Sequence, residues 1–276
     1  ILIPDPGYVS YVPCVQLAGG TPVTVPCVKE NGFILTPEAM EAKITPRTKA
    51  LLLPYPNNPT GGIMTKAQLE ALVPLIEKYD LLVISDEIYA ELTYGGSHVS
   101  VASLPGLRER TVVINGFSKA FAMTGWRIGF VCAPPEVDAA MLKIHQYTLL
   151  CAPGASQYAA IAALDDGFSD HFAAVEQMRA EYDKRRRFMV DFFNQNGMPC
   201  FEPRGAFYAY PSVEGLGVTG EEFANGLLRA EKVAAVPGDA FGEAGKFHVR
   251  CSYATGMSSL DEATKRIARY VKTLQN

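Results

Sequence analysis

Leu81-Leu82-Val83-Ile84-Ser85-Asp86-Glu87-Ile88-Tyr89 changes character midway: four apolar residues run directly into a serine, two carboxylates and a phenol. An apolar run this short, without alternation, reads as a strand buried on both faces of a parallel sheet. Two other stretches repeat the pattern. Ala50-Leu51-Leu52-Leu53 leads to Asn57-Asn58-Pro59-Thr60-Gly61-Gly62, and Thr111-Val112-Val113-Ile114 leads to Asn115-Gly116-Phe117-Ser118-Lys119. A fourth strand is expected at Ile128–Cys132. Helical segments separate them. Thr36-Pro37-Glu38 offers a capping hydroxyl and a proline at the first helical position, with a stop before Thr45-Pro46. Thr65 caps a segment whose Leu69, Leu72, Val73 and Ile76 share one face, with a kink expected at Pro74. Apolar strands joined by helices predict an α/β domain with a mostly parallel sheet and flanking helices.

From residue 170 the pattern becomes one long helix to Asn194, with Val175, Met178, Tyr182, Met189 and Phe192 on its apolar stripe. Short segments follow at 206–210, 233–236 and 247–252, with helices at 221–230 and 260–274. The reading is a large domain over 1–168 and a smaller C-terminal α+β domain over 169–276, entered by the long helix. The chain opens on Ile1-Leu2-Ile3-Pro4, a core-strand pattern with no preceding cap, so an upstream segment is expected to precede it.

The 276 residues are 48% hydrophobic and 20% charged, ordinary globular values that exclude a disordered or fibrous chain. Lys+Arg 25 against Asp+Glu 29 leaves −4, which argues against nucleic acid as a partner. The one basic run, Lys184-Arg185-Arg186-Arg187, has Asp183 and Asp191 nearby and reads as the solvated face of a helix. Cys14, Cys27, Cys132, Cys151, Cys200 and Cys251 show no metal-ligand spacing and read as reduced, buried thiols. His98, His145, His171 and His248 are dispersed, so no metal site is expected, and His145 reads as structural. No apolar run is long enough to cross a membrane and the start lacks a signal-peptide pattern, so a cytoplasmic location is expected.

The three polar clusters follow three strands of one sheet, where α/β folds hold their ligands. Taken singly each has an ordinary explanation: Asn-Pro and Gly-Gly mark turns, an Asp after a strand is often a helix cap, and a lone Lys is usually solvated. Together they bring a carboxylate, a lysine, a tyrosine and an amide to one rim, with Arg127 eight residues past Lys119.

The motifs Tyr55-Pro56-Asn57-Asn58-Pro59-Thr60-Gly61, Ser85-Asp86-Glu87-Ile88-Tyr89 and Ser118-Lys119, running on to Met123-Thr124-Gly125-Trp126-Arg127-Ile128-Gly129, resemble those of the class I/II aminotransferases of the aspartate aminotransferase superfamily, fold type I. The resemblance runs from the first residues to the terminal helix. It implies a pyridoxal 5′-phosphate enzyme, a homodimer with its sites at the subunit interface. Position by position it makes Lys119 the Schiff-base lysine and sets Asp86 against the pyridine nitrogen, where a carboxylate keeps the ring cationic and electron-withdrawing. Asn58 and Tyr89 match the ligands of the ring's phenolic oxygen, and Asn58 also borders the substrate. Arg127, with Ser118, matches the phosphate site, where a guanidinium fork suits a dianion. Tyr8, in Pro4-Asp5-Pro6-Gly7-Tyr8-Val9-Ser10-Tyr11, matches the aromatic that stacks on the ring. Arg250, in Phe247-His248-Val249-Arg250-Cys251-Ser252-Tyr253, matches the arginine that grips the substrate α-carboxylate, and Pro203-Arg204-Gly205-Ala206-Phe207-Tyr208 resembles a strand motif of the smaller domain.

Two departures stand out. Many members carry a phosphate-binding Ser three residues before the lysine, where this chain has Gly116. The family's N-terminal segment, with its glycine-rich phosphate cradle, is not in the sequence, so weak cofactor binding by these 276 residues is expected. The implied reaction is transfer of an amino group from an aspartate-like or aromatic L-amino acid to a 2-oxo acid in two half-reactions. A C–S β-lyase of the same superfamily, which releases pyruvate, and a non-catalytic aminotransferase-like regulatory domain are the rivals. A nicotinamide-binding enzyme would need a glycine fingerprint that is absent.

Overall fold

A computed structural model describes residues 1–275. Strands β1 (Leu2–Asp5), β2 (Val23–Pro26), β3 (Ala50–Leu53), β4 (Leu82–Asp86), β5 (Thr111–Gly116) and β6 (Gly129–Cys132) form one sheet in the order β2-β1-β3-β4-β5-β6. All neighbours are parallel except β5 and β6, which are antiparallel. The mostly parallel sheet is therefore as the sequence implies. Continuous burial holds along β1 and β3, whereas β4 alternates between buried and partly covered residues and β6 is exposed throughout. That exposure follows from position, since β6 has a neighbour on one side only.

The helices are α1 (Tyr11–Leu17), α2 (Pro37–Glu41), α3 (Lys66–Lys78), α4 (Phe117–Ala120), α5 (Pro135–Thr148), α6 (Gly154–Asp170), α7 (Ala173–Gln195), α8 (Gly220–Glu231) and α9 (Met257–Leu274). Thr36 accepts from Ala39 N at 3.3 Å, and Thr65 and Gln68 bond reciprocally as a capping box, a device worth about 1 kcal/mol. Helix α3 runs through Pro74 as one element and buries Leu69, Leu72 and Ile76 beside Leu51, Leu53 and Val83 of the sheet.

A second, antiparallel sheet of β7 (Tyr208–Ala209), β9 (Val249–Ser252) and β8 (Val236–Pro237), in that order, packs with α7, α8 and α9 around Phe193, Phe223, Leu227, Tyr253 and Ile267. The long helix begins at Ala173 rather than at 170, because Asp170 closes α6 and His171 and Phe172 adopt left-handed φ values of 59° and 58° that break the helix.

Two other expectations are corrected. Arg186 is buried, bonded to Asp183 and to Glu202 at 2.7 Å and lying over the Tyr94 ring, so the basic run is not a uniformly solvated face. Of the six free thiols only Cys27 is buried, while Cys14, Cys132 and Cys151 are exposed, the last two on the open strand β6 and on the connection between α5 and α6. Among the described residues no helix is long and apolar enough to cross a membrane.

Backbone bonds tie the two sheets. Gly61 O accepts from Arg204 N and Gly205 N at 2.8 and 3.0 Å, and Tyr94 N donates to Arg204 O at 2.8 Å. Only glycine suits position 61, where φ is +70° and a Cβ would stand 2.2 Å from Pro203 Cβ. Residues just after β1, β3, β4 and β5 each meet the small-sheet side: Gly7 at Phe241, Asn58 at Arg250, Tyr89 at Tyr208 and Lys119 at the Phe207 ring, and this junction is the crevice described below.

Candidate active site

Asp86 ends β4, half-buried. Its Oδ2 accepts from Tyr11 Oη at 2.7 Å and its Oδ1 from Ile88 N at 3.1 Å. Burial raises its pKa above the ordinary carboxylate value, and those two donors pull it partly back. Tyr11 is the site residue that sequence reasoning passed over. It lies one helical turn beyond Tyr8 in the segment quoted above, and the two rings meet edge to face at 5.6 Å. No sequence pattern links Tyr11 to a carboxylate 75 residues away.

Lys119 lies on α4, immediately after β5. Its Nζ stands 5.8 Å from the Tyr89 ring centroid and 5.6 Å from that of Phe207. Burial lowers its pKa, and the positive charges of Arg127 and Arg250 lower it further. Ser118 precedes it with a hydroxyl that makes no hydrogen bond among the described residues.

Tyr89 is buried, and its hydroxyl pairs with that of Tyr208 at 2.9 Å. Burial and this neighbour raise its pKa, so the phenol stays protonated. Tyr208 belongs to the small-sheet motif that the sequence singled out, but its contact with Tyr89 depends on how the two sheets meet. Asn58 is buried and accepts from Arg250 Nη1 at 2.8 Å, which brings the first polar cluster against β9. Its neighbour Asn57 is spent on the turn, accepting from Thr60 N and Oγ1.

Arg127 is exposed, holds a left-handed φ of 52°, and donates Nη1 to Thr124 O at 2.9 Å. A non-glycine residue in that region costs about 1 kcal/mol or more, and such positions cluster at functional sites. Gly116, the departure from the family pattern, has a structural cause: a Cβ there would stand 2.7 Å from Gly129 Cα and 3.0 Å from Ile128 O, so the close β5–β6 approach excludes a serine. Tyr8 is 42% exposed beside the crevice.

Lys119, Arg127 and Arg250 form no ion pair among the described residues, and Arg250 Nε is buried without any partner. Three cations close enough that Arg127 and Arg250 both lower the pKa of Lys119, beside a carboxylate already bonded to a tyrosine, are suited to an anionic ligand. A phosphate and a carboxylate would both find donors there. An amine, a buried carboxylate and two phenols beside these cations are a donor set that would fit pyridoxal phosphate.

The comparisons agree with this geometry. The family model Aminotransferase class I and II matches residues 1–267. The chain is 48% identical over 271 residues to the putative aminotransferase YugH of Bacillus subtilis, covering 98% of this chain and 69% of that protein. It is 46% identical to an aspartate aminotransferase of Pyrococcus abyssi, covering 99% and 70%. The crystal structure of an aromatic aminotransferase from Pyrococcus horikoshii OT3 superimposes with a TM-score of 0.96 at 45% identity, covering 99% of this chain and 73% of that one. With the sheet order, the crevice and the motifs in agreement, this chain belongs to the class I and II aminotransferase family and has the fold type I architecture.

Proposed function

We propose that the crevice binds pyridoxal 5′-phosphate and moves an amino group from an aspartate-like or aromatic L-amino acid to a 2-oxo acid. The observation that carries this reading is the convergence of Lys119, Arg127 and Arg250, none of them ion-paired among the described residues, around Asp86 and Tyr89. The relatives named for aspartate and for aromatic substrates support the donor class.

When bound, the cofactor supplies an aldehyde that an amine can capture and a ring that withdraws electrons from the substrate's Cα. Lys119 Nζ, its pKa lowered by burial and by two guanidiniums, is the base placed to accept the proton from that carbon. Asp86, oriented by Tyr11 Oη and Ile88 N, holds the proton on the ring nitrogen. Tyr89 and Asn58 would hold the cofactor's phenolic oxygen, Tyr8 its ring, and Arg127 with Ser118 its phosphate. Arg250 takes the α-carboxylate with the nitrogens that Asn58 does not occupy. The exposed apolar residues of α5 and α6, among them Leu142, Ile144, Tyr147, Tyr158 and Ile161, support assembly as a homodimer. We place this enzyme in the cytoplasm.

The test is borohydride reduction in the presence of pyridoxal phosphate, with the attachment mapped by mass spectrometry. Label on Lys119, absent from Lys119→Ala, is the expected result, together with conversion of aspartate or phenylalanine to its 2-oxo acid only when a second 2-oxo acid is supplied. Label spread over surface lysines refutes the assignment.

A further inference from the structure

Arg250 sits beside two aromatic rings. Its guanidinium carbon is 4.5 Å from the Tyr208 centroid and 4.7 Å from the Phe241 centroid. Tyr208 comes from the neighbouring strand β7, so its place follows from sheet pairing. Phe241 has a different origin. It lies at the end of a short turn, Gly238–Phe241, that follows β8; Gly238 N donates to His248 O at 2.8 Å and Tyr210 Oη donates to Gly238 O at 3.1 Å, so the turn starts anchored beside the small sheet while its far end meets the large one.

Two contacts fix it there. Gly7 N, just past β1, donates to Phe241 O at 2.9 Å. Gly242 has a φ of +132°, and a Cβ on it would stand 1.9 Å from Asp5 Oδ1, so the chain after Phe241 lies flush against the end of β1. Phe241 itself is 5% exposed and packs with Phe33 and Tyr210. The end of β1 thus meets the backbone that carries the phenyl ring, and the ring stands against a guanidinium borne by the small sheet.

A guanidinium flanked by π-faces is held electrostatically by the ring quadrupoles and loses water on the sides they cover. Its orientation is then narrowed, and Nη1 is already given to Asn58 at 2.8 Å. A planar carboxylate needs that orientation for a two-pronged contact.

We propose that Phe241 is a positioning residue for Arg250: its ring sets the attitude of the guanidinium toward the substrate carboxylate, and Gly7 and Asp5, at the end of β1, help fix the backbone that carries the ring from the other sheet. This rests on the reading of Arg250 as the carboxylate grip. Amino acid and 2-oxo acid share the α-carboxylate, so loosening the guanidinium weakens both by a similar factor. Because the contact is made equally in ground and transition states, KM rises and kcat does not fall.

The experiment uses the cofactor-loaded protein and two unreactive carboxylates, succinate and 3-phenylpropionate, titrated calorimetrically, with KM and kcat measured in parallel. Arg250→Ala is expected to lose more than a hundredfold in carboxylate affinity. Phe241→Leu is expected to lose about tenfold, with kcat within twofold, and Phe241→Tyr to bind within twofold of the parent. Pentafluorophenylalanine in place of Phe241 keeps the shape and fold while reversing the ring's quadrupole, and is expected to weaken binding severalfold. If it binds like the parent while Arg250→Ala has lost affinity, the bracing role is overturned and the grip stands. If Arg250→Ala binds normally, the grip itself is overturned, and the bracing with it.

Discussion

Replacing Tyr11 with Phe removes one hydrogen bond from Asp86 and little else, because the phenol's bond to Oδ2 at 2.7 Å is its one polar side-chain contact. A hydrogen bond to an ionised partner contributes about 1.5–3 kcal/mol, and 1.36 kcal/mol is one pKa unit, so the Asp86 midpoint should rise by about one to two units. Direction follows from the charge state: Tyr11 donates only to the carboxylate form, so its loss favours the acid. Burial already sets Asp86 above its ordinary value of 3.8, and the mutation widens the interval over which the folded chain holds a proton that the unfolded chain has released. The variant's stability deficit should therefore be largest near neutral pH and shrink on acidification through that interval. Isotope-edited infrared spectroscopy of labelled aspartate, with Asp86→Asn to assign the band, reads the midpoint directly and needs no cofactor. Tyr8→Phe serves as the control, since Tyr8 meets Tyr11 only through its ring. A midpoint in Tyr11→Phe at or below the parent's would refute the argument.

Gly116→Ser should not restore a phosphate ligand but should destabilise the fold by about 1–3 kcal/mol through the clash with Gly129, lowering the melting temperature by several degrees; an unchanged calorimetric transition would count against the close approach. Burial pushes the His248 imidazole down to about 4 from 6.5, so the unfolded chain protonates first and acidification across that range removes stability. Denaturation of His248→Phe at a series of pH values should lack that part of the slope, and equal slopes would contradict it. Arg186→Ala should cost about 3 kcal/mol in urea unfolding, the low end for a buried pair because Glu202 is 66% exposed, whereas Arg187→Ala, 63% exposed, should stay within about 0.5 kcal/mol.

Much of the fold was legible because burial leaves a mark on composition. Leu51 to Leu53 and Val112 to Ile114 could hardly be anything but central strands, and the capping signals at Thr36 and Thr65 marked helix starts that the structure retains. Helix α5 left no such mark, since none of its residues is buried, and α6 left a faint one, because the face it packs against Phe117 and Met123 is mostly small residues such as Ala160 while Tyr158 and Ile161 are exposed. The left-handed pair His171 and Phe172 likewise has no composition signal, neither residue being glycine. In the site, residues set by local sequence were found, and those set by the meeting of distant segments were not. Lys119 and Asp86 follow their strands directly, whereas Tyr11 reaches Asp86 and Phe241 reaches Arg250 only once the sheets have formed. Arg186 misled for a related reason, since four consecutive cations look alike until one turns inward.

The two margins of the large sheet are not equivalent. β2 ends in Pro26, with Pro22 just before its start, and prolines deny a neighbouring strand some of the donors it would need. β6, Gly-Phe-Val-Cys, carries neither proline nor charge, and its outward backbone groups form a ready row of donors and acceptors. The sheet is thus more open to a further strand at β6 than at β2, and a strand that joins there adds next to the β5–α4 corner that carries Lys119.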